Sequence, residues 1–407
     1  MRNILTAEKT YVFLISALLI VLPLYYGFST GMLIALLAAA VSSLLFHKPT
    51  RRAGLFVPIL LFLLMALSVL WSDPIENALR GLERQLALLL IPLAFICMPS
   101  ITLEARNKIL YYYAIGMTLF GLVFTTLAGV TFLETGSAAS FFYHELVSPL
   151  DLNAIYISVF VSIALLHVLF FRPKTALSIL MLVVLTIFLL LLASKSIIVA
   201  TALTGGIGII RSFKKATVYK LLGALLVGIV LLAVVPNPVK KRFEREIRVS
   251  NIEEVFEKER FNKVYDWTGT TLRLFQARIF TEMLAEDPIL FTGYGINNSQ
   301  SKIETKHREY NLWQGYYNYN FHNQYIQAFA DLGVFGLLFL FLLLGVLLRH
   351  YFKTRDMLFL SLFLIMLVVF MTGTYLWRQR GLYHFLVLYC LLLKALPPEN
   401  EQKSNLS

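Results

Sequence analysis

The residue best placed to do chemistry in this chain is His322, which stands with Asn323 where a long polar segment runs into a long apolar helix. A helix N-terminus carries roughly half a positive charge, so an imidazole in its first turn is pushed toward the neutral form that accepts a proton. His322 therefore reads as a general base. The plainer alternative is that the His-Asn pair only caps the helix by bonding its free amides.

Several cations accompany it. Arg273, in Thr271-Leu272-Arg273-Leu274-Phe275, offers forked donors matched to phosphate and cannot lose its charge. Its alternative is a solvated helix face or a lipid-headgroup contact. Arg278 is five residues on, about 140° round a helix, so the two cannot both face one phosphate. Lys195 tips a hairpin in Ala193-Ser194-Lys195-Ser196, with an interfacial anchor as its alternative. In the turn Leu376-Trp377-Arg378-Gln379-Arg380-Gly381, Arg380 is the better candidate to hold substrate or close the loop, unless it only anchors beside Trp377. Arg80 and Arg84, on an amphipathic stretch at 74–85, are weaker candidates. Trp313, Tyr316, Tyr317 and Tyr319 lie among Gln314, Asn318 and Asn320, a mixture suited to sugar faces and hydroxyls and equally to an aromatic belt at a bilayer surface.

The elements that must position these residues are membrane helices. At 58% hydrophobic content and a mean hydropathy of +0.72, the 407-residue chain lies well above the roughly 45–50% of soluble domains. Apolar runs near 11–28, 30–46, 54–71, 86–98, 109–133, 154–171, 176–192, 197–210, 221–235, 323–348, 357–375 and 382–396 fit helical crossings, not barrel strands. The fold expected is an all-α polytopic membrane protein with about 12 transmembrane helices. The first run ends without a small-x-small cleavage site and reads as an uncleaved span.

The net charge of +12 sorts by side, which answers the question of nucleic acid. With both termini inside, the termini and inner connections carry 18 Lys and Arg, against five in the short outer connections (Arg80, Arg84, Lys195, Arg378 and Arg380). The expected division is nine helices in 1–235, a polar outer domain at 236–321, three helices in 322–396 and an inner tail at 397–407. Within the outer domain, Leu274, Ala277, Phe280 and Leu284 recur at helical spacing and predict an amphipathic helix over 271–285. The stretch Phe291-Thr292-Gly293-Tyr294-Gly295 predicts a tight turn. A helix over 323–348 would be about 39 Å long, so its first turns can stand in the interface, where Asp331 needs no buried partner.

Cys97 and Cys390 fall in apolar runs and suit packing. No Asp, Glu, Lys or Arg sits mid-span, which counts against ion-coupled transport. The sequence has no Walker A loop, HExxH, G-x-S-x-G elbow, Asp-x-Asp or Cys/His metal spacing. His144 and His307 are too isolated to argue for a metal, so neither a metal nor a cofactor is expected.

His322, Asn323, Gly333 and Gly336 form His-Asn-x₉-Gly-x-x-Gly, which resembles the signature of bacterial O-antigen ligases and the related O-antigen polymerases. Arg273 ahead of an amphipathic helix, followed by Pro288, Gly293 and Gly295, is similar to the same family's outer loop. Lys195 departs from the arginine usual there, keeping the charge but losing the fork. The resemblance implies an inner-membrane glycosyltransferase with a periplasmic loop and site. Its donor would be a glycan on undecaprenyl pyrophosphate and its acceptor lipid A–core, or another lipid-linked repeat if it is a polymerase. His322 would activate the acceptor, Arg273 and Lys195 would hold the pyrophosphate, and Asn323, Arg380, Arg278, Arg84, Trp313 and Tyr319 would line the substrate path. A lipid-linked glycan flippase is the reading from another class.

Overall fold

The computed structural model describes residues 6–49, 51–171, 175–212, 214–234 and 238–396. The inner tail expected at 397–407 and the Pro236-Asn237 opening of the outer domain lie outside them. All regular structure among the described residues is helical: α1 Glu8–Val21, α2 Tyr26–Ser43, α3 Ala53–Ser68, α4 Ile75–Arg84, α5 Ala87–Cys97, α6 Leu103–Thr135, α7 Tyr143–Val147, α8 Ala154–Phe171, α9 Ala176–Leu191, α10 Lys195–Ser212, α11 Lys215–Val234, α12 Pro238–Val249, α13 Ile252–Glu257, α14 Gly269–Glu286, α15 Ser299–Glu309, α16 Gln324–Thr354, α17 Met357–Thr372 and α18 Gln379–Lys394. Each of the twelve apolar runs falls on one of these helices. Five, α2, α3, α6, α8 and α16, are long and apolar enough by themselves to cross a membrane, α3 with the turn that extends it to Trp71.

Side-chain caps set several boundaries: Thr102 accepts from the Ala105 amide, Thr268 forms a capping box with Thr271, and Asp356 accepts from the Leu358 amide. At 33 residues, α6 outruns the predicted 109–133 because the Thr102 cap starts it early and Gly136, at φ 66°, ends it late. In contrast α5 spans 11 residues, too short to cross alone.

The bundle closes around α18, in which every residue from Gly381 to Lys394 is buried, and which packs against α5. Helices α16 and α17 pair, as do α1 with α6 and α8 with α9. Large apolar side chains such as Leu63, Leu133, Ile179 and Phe341 point outward, as lipid-facing surfaces do. At the end of the bundle remote from His322, buried Arg106 of α6 ion-pairs with Asp356. Replacing Arg106 by methionine leaves that carboxylate desolvated and unpaired. The expected cost is about 3 kcal/mol, read as a lower unfolding midpoint in detergent micelles.

The outer segment has its own core, in which Phe275, Ile279 and Met283 of α14 meet Val255, Phe261, Ile303 and Leu312, and it extends to Phe321 and to Ala330 on α16. The amphipathic helix exists, but its most buried stripe is Thr271, Phe275, Gln276, Ile279 and Met283. The predicted stripe, through Leu274 and Phe280, is only partly buried. The helix is covered on more than one side, so the apolar period alone did not separate the deeper face.

Helix α16 is broken at Gly333, with φ 64° and ψ −158°. The turn 290–294 enters the break and replaces the missing helical bond. The Val334 amide donates to the Leu290 carbonyl at 2.8 Å, and the Tyr294 amide donates to the Ala330 carbonyl at 2.8 Å. A Cβ at Gly293 would strike the Asp331 and Leu332 backbone, one at Gly333 the Phe291 backbone, and one at Gly336 the Ala328 carbonyl. The glycines of the motif are thus the condition for two backbones to touch. Asp331 does not stand in a wet interface as expected. It is buried beside the break, accepting from Ser299 at 2.9 Å and Gln327 at 3.0 Å.

Candidate active site

Helix α16 starts at Gln324, and Asn323 caps it by accepting from the amides of Tyr325 and Ile326 at 2.9 and 3.1 Å. His322 therefore precedes the helix instead of lying in its first turn. It adopts the left-handed region at φ 50°, held by its own amide donating to Asn320 Oδ1 at 3.0 Å. A non-glycine residue in that region is strained. Its side chain is largely buried, and Nε2 has no hydrogen-bond partner among the described residues. Burial, then the charges of Arg273 and Arg378, lower its pKa from 6.5 to about 4. Desolvation and two guanidinium charges thus hold the imidazole in its neutral form. The Tyr319 ring packs edge-on against it, with centroids 5.1 Å apart.

Arg273 comes from α14. Its Nε donates to the Thr372 carbonyl at 2.9 Å and its Nη1 to the Gly269 carbonyl at 2.8 Å. Thr372 ends α17, so the cation also satisfies a carbonyl at the negative end of that helix. Burial pulls the Arg273 pKa down from its ordinary value, and Tyr143 and Glu246 oppose the shift; a guanidinium remains charged regardless. Lys195, the first residue of α10, ion-pairs with Glu246 of α12. Neither Arg273 nor Arg378 has a carboxylate within ion-pair distance among the described residues.

The turn between α17 and α18 fixes the base from behind. Asn320 Nδ2 donates to Thr374 Oγ1 at 2.8 Å, while Gln324 accepts from the Leu376 amide at 2.9 Å. The Leu376 carbonyl in turn accepts from Gln85 at 3.2 Å. Tyr156 donates to the Thr374 carbonyl at 3.2 Å and stacks on Tyr375, whose hydroxyl meets His384 Nδ1 at 3.0 Å. Tyr113 meets His384 Nε2 at 2.9 Å. A buried polar chain through α6, α8 and α18 thus supports the residues that aim His322.

Other predicted residues are employed elsewhere. Arg278 donates to the Val255 and Lys258 carbonyls at 2.8 and 2.7 Å, bonds Glu282, and lies over Tyr310, stitching the outer domain together. Arg380 donates to the Leu22 and Leu24 carbonyls at 3.2 and 3.1 Å and lies over Tyr26, so it ties α18 to the α1–α2 turn. Its neighbour Arg378, two residues away at the α18 N-cap, lies near enough for its charge to bear on His322. Arg84 is exposed at the end of α4, and Trp313 is half exposed near Tyr316. The start of α18 falls between the two: Arg378 has extended backbone at the N-cap and Arg380 lies within the first turn. Nothing in the sequence signals Glu246. A cleft of about 700 Å³ between α1 and α6, lined by Lys9, Phe13, Ser16 and Lys108, lies away from this cluster.

These features define an integral, all-helical membrane protein with a buried neutral histidine flanked by cations. Residues 179–341, which include Lys195, Glu246, Arg273 and His322, match the family model described as O-Antigen ligase, and the match places this segment in the O-antigen ligase family. That family implies a membrane glycosyltransferase-like enzyme acting on lipid-linked glycans. No curated protein matches the chain.

Proposed function

We propose that the protein is a ligase that moves a glycan from undecaprenyl pyrophosphate to lipid A–core on the periplasmic face of the inner membrane. In this reading all twelve apolar helices cross the bilayer and both termini are cytoplasmic. The orientation is supported by the helix ends remote from His322, where Arg52, Arg106, Arg211 and Lys394 gather. The observation that carries the chemistry is the unpartnered Nε2 of His322 in a buried place that two guanidinium charges reach.

His322 takes the proton of the acceptor hydroxyl as that oxygen attacks the anomeric carbon. The bond from that carbon to the diphosphate oxygen breaks, and the lipid diphosphate leaves with the negative charge. Arg273 and Lys195 hold it, with Arg378 added to the set inferred from sequence. Tyr319, edge-on to the imidazole, lines the acceptor's approach to the base. Arg273→Lys keeps a charge but loses the fork and the bond to the Thr372 carbonyl. Turnover is expected to fall about 100-fold, measured with purified protein and lipid-linked glycan.

The deciding experiment reconstitutes the protein in lipid with lipid-linked glycan and offers either lipid A–core or a second lipid-linked repeat. Glycosylated lipid A–core supports the ligase. Chain extension alone makes it a polymerase, and movement of glycan across the bilayer without transfer makes it a flippase.

A further inference from the structure

Glu246 belongs to none of the roles above, yet it occupies the place where they meet. One carboxylate oxygen pairs with Lys195, and the other accepts from the Thr270 amide, in the first turn of α14, at 2.6 Å. Gly269 lies between this carboxylate and Arg273: a Cβ there would be 3.1 Å from Arg273 Nη1 and 3.9 Å from Glu246 Oε1. Lysine ammonium and helix amide thus meet on a single anionic group supplied by α12, and the Arg273 guanidinium, beyond ion-pair distance, feels its charge. We propose that Glu246 is a resident competitor for the lipid diphosphate, seated in its place on Lys195 and the Thr270 amide of α14, so that an entering anion must displace it.

This inference rests on the reading of Lys195 and Arg273 as diphosphate ligands. The carboxylate is held firmly ionised, its pKa near 2 through bonds from Lys195 and Thr270 that outweigh its burial, so it does not vacate the seat by protonation near neutral pH. Because it is tethered, it competes at a high effective concentration. An anion of one charge gains little by exchanging one carboxylate-like contact for another. A diphosphate carries more charge and can reach Lys195 and Arg273 together, so it can meet the cost of emptying the seat, a cost that is the same for any anion that must take it. The same tether returns the carboxylate when the lipid diphosphate departs, which favours product release.

The test uses the full-length protein in nanodiscs, titrated with inorganic pyrophosphate and with orthophosphate by calorimetry. Glu246→Gln keeps the shape and the acceptor for Thr270 but removes the charge. The expected result is pyrophosphate affinity higher by about tenfold, with a like gain for orthophosphate, since both must empty the same seat. Unchanged or weaker pyrophosphate binding in Glu246→Gln, with Lys195→Ala weakening the parent, overturns the competitor while leaving the diphosphate site standing. Pyrophosphate binding that is absent, or indifferent to Lys195→Ala, overturns the diphosphate site and the competitor with it. Should Glu246→Gln fail to fold, hydrogen exchange on the unaltered protein decides. Pyrophosphate is expected to speed exchange across 238–249, and no change there overturns the proposal.

Discussion

Replacing His322 by alanine is expected to slow glycan transfer by about 10²- to 10⁴-fold while leaving affinity for the lipid-linked donor unchanged, because the donor's diphosphate is held by cations that the substitution does not touch. Turnover and donor binding measured on the same preparation check this, and a parallel loss of both would reassign His322 to substrate binding. The pH profile gives a second reading. A histidine with a pKa near 4 is already in its base form at neutral pH. Activity should therefore stay level from neutrality down to about pH 5 and fall as pH drops through 4, instead of falling near the ordinary 6.5. Arg273→Ala removes one of the two charges that disfavour the imidazolium, so the surviving activity of that variant should lose its acid limb at a higher pH than the parent. A limb that does not move would mean that burial and Arg378 set the basicity without Arg273.

Gly333→Val is expected to prevent folding of the outer part of the chain. The dihedrals at this position, φ 64° and ψ −158°, are open essentially to glycine alone, and a side chain there meets the backbone of Phe291 and Leu290. If the turn withdraws, the Val334 amide and the Ala330 carbonyl both lose their partners inside an apolar setting. Strain of roughly 1–3 kcal/mol and two unmet backbone groups at about 1–3 kcal/mol each together reach about 5 kcal/mol, comparable to the whole stability of many domains. The yield of monodisperse protein after detergent extraction measures the effect. Val334→Ala, which changes a side chain but keeps the amide and the glycine, should extract like the parent.

The apolar runs located the helices because a bilayer imposes both length and composition on them. Boundaries were less legible: only the structure shows that Thr102 and Gly136 stretch α6 to 33 residues. Among the candidate residues, His322 and Lys195 could be picked out because few ionisable groups stand beside the apolar runs there, and Arg273 through the resemblance of its loop to the family's. What escaped were relations across the chain. Glu246 is 51 residues from Lys195, in a stretch crowded with charges where nothing marks one carboxylate over another. Asp331 looked exposed because its burial comes from α15 and the turn 290–294, elements remote in sequence. Arg380 outranked Arg378 because both share a short turn, and only the start of α18 between them separates the one tied to the α1–α2 turn from the one whose charge reaches His322.

The core of the outer domain does not stop at the membrane. Phe321 and Ala330 belong to it, and the turn 290–294 completes the backbone bonding of α16. Cut away between the ninth and tenth apolar helices, this polar segment would leave part of its interior behind and carry off two backbone groups that had served a neighbour. It is no detachable module, and evolution could not have exchanged it wholesale between scaffolds without also exchanging the first turns of the helix that follows.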